Sequence, residues 1–526
     1  MLFAKARSML ATAFTTALVG LDARLVRVEV ACTRGPGWFE MVGLADSAVR
    51  ESRVRVTAAL GQLGILMAEH RITVNLAPAD LRKSGTAFDL AIAVGTLAAL
   101  GKVPLDSLNG VVFVGELSLT GALRPIRGIL AHVSGARSLG FARAVVPREN
   151  GREAGLARGI DTYLADGLPA IQQHLAGDRT LDVAEPTPFA GMAVAGFDLA
   201  DVRGQYGARR ALEVAAAGAH NLLLVGPPGG GKTMLARRLP TLLPPLEFEE
   251  ALAVTKVHSI AGLLSPDRGL VEHRPFRSPH HTISDAGLVG GGEPVRPGEI
   301  SLAHHGVLFL DEILEFRRSA LEALRQPLED GEIVIARVRS RATLPARPIV
   351  VAAANPCPCG YAGDPSGRCA CSDERVRTYR SRLSGPLLDR IDLHVALPPV
   401  DVASLASRTF GESSAIVRQR VMQARAVQRE RHRAREVTAR TNAQLSAQDV
   451  EAVARPDAAG LGLIASAVDR LGLSARAYGK VLRVARTVAD LEGATAVGAT
   501  HIAEAVQSRI FDRPMQPIST VSPPSH

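Results

Sequence analysis

The run Gly226-Pro227-Pro228-Gly229-Gly230-Gly231-Lys232-Thr233 sets glycines, a lysine and a hydroxyl at the spacing G-x-x-x-x-G-K-[ST]. Glycines let backbone N–H groups turn inward around phosphate oxygens, and a helix starting there adds its positive end. Lys232 can reach the β- and γ-phosphates, Thr233 can ligate Mg²⁺, and Met234 opens the helix. The apolar run Asn221–Val225 before the motif and the helical stretch Met234–Arg238 after it supply the strand–loop–helix context that the motif requires. About 80 residues on, Val307-Leu-Phe-Leu ends in Asp311 and Glu312. Asp311 is placed to hold Mg²⁺ and Glu312 to polarise an attacking water. A third apolar run, Pro348–Ala354, ends in Asn355, which can orient that water. Together these residues describe binding and hydrolysis of ATP.

Four of the five cysteines sit as Cys357-Pro-Cys359 and Cys369-Ala-Cys371, nine residues apart. Four thiolates on a Gly/Pro-rich loop suit a tetrahedral structural zinc ion; free thiols in a reducing compartment are the alternative. Cys32 reads as core. Glu332–Arg347 reads as a β-hairpin carrying Arg337, Arg339 and Arg341, with Arg347 at its end. Such cations on a hairpin can track a nucleic-acid backbone, or merely solvate an edge. Gly287–Gly292 reads as a flexible loop beside it. His280 and His281 have no accompanying acid pair, so a structural role is favoured over metal binding.

These groups need elements to hold them. A chain of 526 residues exceeds one core and predicts two or three domains. Its net charge of +9 favours a polyanionic partner such as DNA, although an Arg-rich composition alone gives the same sign. No apolar segment is long enough to span a membrane. The start of the chain has a charged and then an apolar stretch, but Thr15 and Thr16 interrupt it and it leads into an alternating strand, so no cleavable signal is expected. Strands are predicted at Leu25–Ala31, Arg71–Leu76, Val111–Val114 and Ala144–Pro147, with helices at Asp46–Leu63 and Phe88–Leu100. The expected divisions are 1–177, a linker 178–195 broken by Pro186, Pro188 and Gly191, an α/β ATPase core 196–400 with insert, hairpin and cysteine loop, a basic helical connector 401–445, a helical lid 446–513, and a disordered tail 514–526.

The order of P-loop, strand-Asp-Glu, strand-Asn and Leu387-Leu-Asp-Arg390-Ile-Asp392 resembles the AAA+ superfamily. Its magnesium-chelatase-like branch is similar to the MCM helicases in having a pre-sensor hairpin. More narrowly the chain resembles the ComM/YifB family, through Val42–Ser52 (VGLADSAVRES), Arg71–Asp80 (RITVNLAPAD), Phe276–Thr282 (FRSPHHT), Asn355–Gly360 (NPCPCG) and Leu482–Glu492 (LRVARTVADLE). These runs span nearly the whole chain. The resemblance implies that Arg390 is an arginine finger acting on a neighbour's ATP; a helix-capping arginine paired with Asp389 or Asp392 is the alternative. It further implies that Arg476 is the sensor-2 arginine of the lid, and that Val202, Gly204 and Gln205 form the loop packed on adenine. A site completed by a neighbour implies a closed ring, most simply a homo-hexamer, here cytoplasmic.

Residues 1–177 resemble the α+β proteolytic domain of Lon, with Ala87 at the nucleophile position and Leu130 at about the lysine position, so a protease fold without protease chemistry is expected. The family implies a ring-forming DNA motor, a branch-migration helicase for integrating incoming DNA in natural transformation. The rivals are a chelatase-type ATPase remodelling a protein partner during metal insertion, and a proteolysis-linked module.

Overall fold

The computed structural model describes residues 9–44, 46–194, 196–265, 269–337, 340–363, 367–399, 411–471 and 474–509. The expected tail 514–526 lies outside them. The first sheet contains β1 (Met9–Val19), β2 (Asp22–Arg34), β3 (Trp38–Val42), β4 (His70–Ala77), β5 (Val111–Phe113), β6 (Arg143–Pro147), β7 (Asp161–Ala165) and β8 (Asp182–Val183). Their order is β8-β7-β6-β5-β1-β2-β4-β3, mixed parallel and antiparallel. The threonine-interrupted opening run is thus the central strand β1, paired along its whole length with β2 and on its other side with β5. Thr16 is accommodated there because its hydroxyl meets buried His132 Nδ1 at 2.7 Å.

Period-two alternation covers this sheet on both faces. Val111 and Phe113 join the core beneath α1 (Ser47–Gln62) and α2 (Asp89–Ala99). Val112 joins the core beneath α3 (Ile129–Ser138) on the other face. Cys32 is 5% exposed in β2, a core residue as expected. Asp182–Val183, within the expected linker, instead adds the edge strand β8.

The second sheet is parallel throughout: β9 (Leu222–Val225), β10 (Phe276–Arg277), β11 (Val307–Leu310), β14 (Ile349–Ala354) and β15 (Leu393–Ala396), in the order β10-β11-β14-β9-β15. Between β11 and β14 the chain makes the expected hairpin, β12 (Glu332–Arg337) against β13 (Ser340–Pro345). Fully apolar strands are what a sheet covered on both faces needs. Leu222, Leu224 and Phe309 pack with α4 (Tyr206–Gly218), α7 (Ser414–Arg433) and α8 (Ala475–Leu491); Leu223, Leu308 and Leu310 face Ile333 and Leu344 of the hairpin. The basic stretch read as a connector therefore contributes α7 to the core, with Val417, Val421 and Ala424 buried. The Gly287–Gly292 segment is a helical turn, Asp285–Val289, followed by a short pairing of Gly290–Gly291 with Arg296–Pro297, because the glycines at 290–292 adopt positive φ in a built turn.

Several contacts join the units built on these sheets. The β1–β2 turn places Leu21 against the apolar cluster at the base of the hairpin, and a Cβ on Gly20 would lie 3.1 Å from Ala342 Cβ. Separately, α6 (Phe248–Ile260) docks on α3. Ser259 donates to Glu153 Oε1 at 2.5 Å and accepts from the Gly128 N–H at 2.8 Å, while the Leu130 N–H reaches the same carboxylate oxygen at 2.9 Å. Burial raises the Glu153 carboxyl from 4.5 to about 7, more than these two donors lower it. A carboxyl raised in the folded state stabilises fully below the unfolded value and loses that contribution as pH rises through the folded one. The melting temperature of Glu153→Gln should therefore gain on wild type between pH 4.5 and about 7 and hold its lead above that. A difference independent of pH would show that Glu153 ionises normally.

Candidate nucleotide site

At the C-terminal end of β9 the loop turns sharply. A Cβ on Gly226 would stand 2.7 Å from Leu397 Cβ, and Gly231 adopts φ +86° as the cap of α5 (Lys232–Ala236). The Lys232 ammonium donates to the carbonyls of Gly226 (2.7 Å) and Pro227 (3.0 Å) and to Asn355 Oδ1 (3.0 Å). P-loop lysine and third-strand asparagine therefore meet. Burial lowers the Lys232 ammonium below its usual range, and the nearby Asp311 and Glu312 charges oppose that shift.

Thr233 Oγ1 donates to Asp311 Oδ2 at 2.8 Å. A hydroxyl beside a carboxylate oxygen is the hard donor set that Mg²⁺ takes. When bound, Mg²⁺ supplies charge neutralisation on the phosphates. Glu312 adopts φ +51°, an uncommon conformation for a non-glycine residue, and its side chain is exposed. On the opposite side of the loop Val202 is buried, Gly204 has φ +62°, and Gln205 Nε2 donates to the Pro398 carbonyl at 2.9 Å. Gln205 Oε1 is buried with no hydrogen-bond partner among the described residues.

One neighbour of Glu312 was not placed by sequence reasoning. His281 Nδ1 lies 3.8 Å from Glu312 Oε2, with its ring against His280 at 4.1 Å between centroids. His281 thus faces the carboxylate read as the water-polarising group, a placement compatible with the structural role expected of the pair. The signal was positional: Ser278-Pro-His-His follows β10, the neighbour of β11, but a two-residue strand has no periodicity to read.

Arg390 and Arg476 lie elsewhere. Both line an open cavity of about 1310 Å³ with Asn221, Arg347, Ile349 and Asp392, residues at the N-terminal ends of β9, β14 and β15. Lys232 sits at the opposite ends of these strands, so neither arginine joins the P-loop of its own chain. The Arg390 guanidinium pairs with Glu329 and donates to the carbonyls of Arg325 (3.0 Å) and Pro386 (2.7 Å); Asp389 and Asp392 are not its partners. Asp392 instead accepts from Lys480 (3.1 Å) and meets His220 (3.2 Å), tying α8 to the sheet. Arg486 is fixed by Asp490 at 3.0 Å and the Thr495 carbonyl at 2.8 Å, whereas Arg476 is exposed.

In the hairpin Arg341 is exposed and Arg337 stands at the end of β12; Arg339 lies outside the described residues. At the Lon-like positions, Ala87 is apolar and Leu130 is fully buried. Buried Lys83 donates to the Pro78 carbonyl. Among the described residues no helix is long and apolar enough to cross a membrane.

Family models describe the same three parts. Residues 198–405 match the magnesium chelatase subunit ChlI, 28–150 match the subunit ChlI of Mg-chelatase, and 411–509 match the magnesium chelatase subunit ChlI C-terminal model. The competence protein ComM of Haemophilus influenzae is 41% identical over 523 residues, covering 97% of this chain and 100% of that protein. The chain belongs to the ComM/YifB family. YifB of Escherichia coli, described as uncharacterized, is 42% identical over 95% of this chain and 97% of its own. Lon protease 2 of Bacillus subtilis is 26% identical over 178 residues, 31% of each chain, in keeping with the Lon-like N-terminal fold. Membership in this AAA+ family assigns ATP hydrolysis, with ATP and Mg²⁺.

Proposed function

We propose that the protein is a ring-forming motor on DNA that drives branch migration while incoming DNA is integrated in natural transformation. The observation that carries this reading is full-length similarity to a protein named for competence. The hairpin arginines and the net charge of +9 support it. In the proposed cycle Lys232 and the loop amides bind the β- and γ-phosphates, while Thr233 and Asp311 hold Mg²⁺. Glu312 draws the proton from the attacking water, and Asn355 fixes that water's position. Val202, Gly204 and Gln205 receive adenine. Arg390 and Arg476, facing away from their own P-loop, complete a neighbour's site, which makes the working unit a closed ring, proposed as a cytoplasmic homo-hexamer. The Lon-like unit is taken to run through β8 to Val183, with the ATPase core proposed at 196–400 and the lid at 446–513, the last four residues of which lie outside the described residues.

A second reading, an ATPase remodelling a protein during metal insertion, is favoured by the chelatase match at 198–405. ATPase assays with and without single-stranded and forked DNA separate the two. Stimulation supports the DNA motor, and its absence supports the chelatase-type reading. Replacing Arg337, Arg339 and Arg341 together with Ala should weaken DNA binding and lower its salt slope by roughly 0.7–0.9 per lost phosphate contact. Basal ATPase should persist, because the Lys232–Asn355 contact lies on other strands. An unchanged slope would place the hairpin off the DNA path.

A further inference from the structure

The loop after Asn355 gathers all four clustered cysteines. Their Sγ atoms lie within 4.8 Å of one another, with Cys357–Cys359 at 3.3 Å, Cys357–Cys369 at 3.8 Å and Cys359–Cys369 at 3.7 Å. Four thiolates at about 2.3 Å from one tetrahedral zinc ion stand about 3.8 Å apart, so the ion fits once the sulfur separations adjust by up to about 1 Å. A disulfide would need sulfurs about 2.05 Å apart, and the cysteines are free. The Ala362 N–H donates to Cys357 Sγ at 3.2 Å, which orients that sulfur.

The loop's position gives the ion a task. Two residues before the first thiol, Asn355 takes a hydrogen bond from Lys232. Gly360, at φ +86°, backs onto the P-loop so closely that a Cβ there would lie 2.6 Å from Pro228 Cδ. After the last thiol, Ser372 caps the helix Asp373–Arg380, and Arg380 Nε returns to the Pro356 carbonyl at 3.0 Å. That helix leads on to Arg390. A loop rich in Gly and Pro, with only Cys357 of its four thiols buried, has little apolar core with which to hold this shape.

We infer that the four thiolates bind one Zn²⁺, and that the metal-bound loop is a strut fixing Pro228 and Asn355 against the segment that carries Arg390. The second half of this inference rests on the nucleotide reading of Lys232. Wild type purified without chelator should carry about one zinc ion per chain by elemental analysis. Cys359→Ser with Cys371→Ser should lose it and lower ATPase about tenfold or more. Gly360→Ala should keep the zinc, because the thiols are untouched, yet lose ATPase to a similar degree as the new methyl group pushes the loop off Pro228. Wild type without zinc, or holding iron in its place, overturns the metal site. A zinc-loaded Gly360→Ala with wild-type turnover overturns the strut. If wild type holds zinc but does not bind a fluorescent ATP analogue, the metal site stands, and the nucleotide reading falls together with the strut.

Discussion

Glu312→Gln is expected to bind ATP like wild type and to hydrolyse it roughly 10²–10⁴-fold more slowly, the usual worth of a positioned general base. The substitution keeps size and shape, so the turn that sets φ +51° should survive with its Glu312 N–H to Asp311 Oδ1 bond at 3.0 Å. What is lost is the ability to accept a proton and to pair with His281, 3.8 Å away. Lys232→Ala should fail earlier, at binding, because the ammonium that Gly226, Pro227 and Asn355 now hold at the mouth of the loop would be gone. Nucleotide binding by filter retention and single-turnover hydrolysis separate the two defects. Near-normal turnover by Glu312→Gln would remove Glu312 from the chemistry.

Arg390→Ala should cost roughly 10³–10⁵ in hydrolysis, as loss of an arginine finger does, while ATP binding is spared. The geometry is compatible with the proposed action on a neighbour. Its own partner, Glu329, is 62% exposed, and an ion pair of that kind contributes about 0–1 kcal/mol. In the proposed ring a neighbour's triphosphate would have to displace this pair and the bonds to the Arg325 and Pro386 carbonyls. Mixing Arg390→Ala with Lys232→Ala subunits should restore part of the activity, since some interfaces then combine an intact P-loop with an intact finger. Mixed rings that assemble and remain inactive would mean that Arg390 does not act across an interface.

Much of this arrangement was legible in the sequence because each piece carried its own local signal. The P-loop spacing, the apolar runs β9, β11 and β14 with their polar last residues, and the alternating arginine hairpin could each be read alone. What could not be read depended on non-local pairing. β10 is two residues long, and β15 includes His394 and directly follows the Leu387–Asp392 motif, so neither announced itself as a strand. Without β10, nothing linked His281 to Glu312. The stretch 401–445 reads as a basic helical connector because its arginines dominate. Yet Arg420 pairs with Glu213, and Arg425 donates to the Ala216 carbonyl, so these charges dock the helix. Cations with buried partners look the same in sequence as cations in water.

The seat of Leu21 against the hairpin base has a mechanical consequence. Leu21 is only half-buried, so its seat contributes part of the roughly 1.5–3 kcal/mol of a fully buried leucine side chain. A hairpin that swings during the cycle must therefore either unseat Leu21 or carry β1 and β2 with it. Since β1 is the central strand of its sheet, displacement applied at one corner would pass to the whole N-terminal unit.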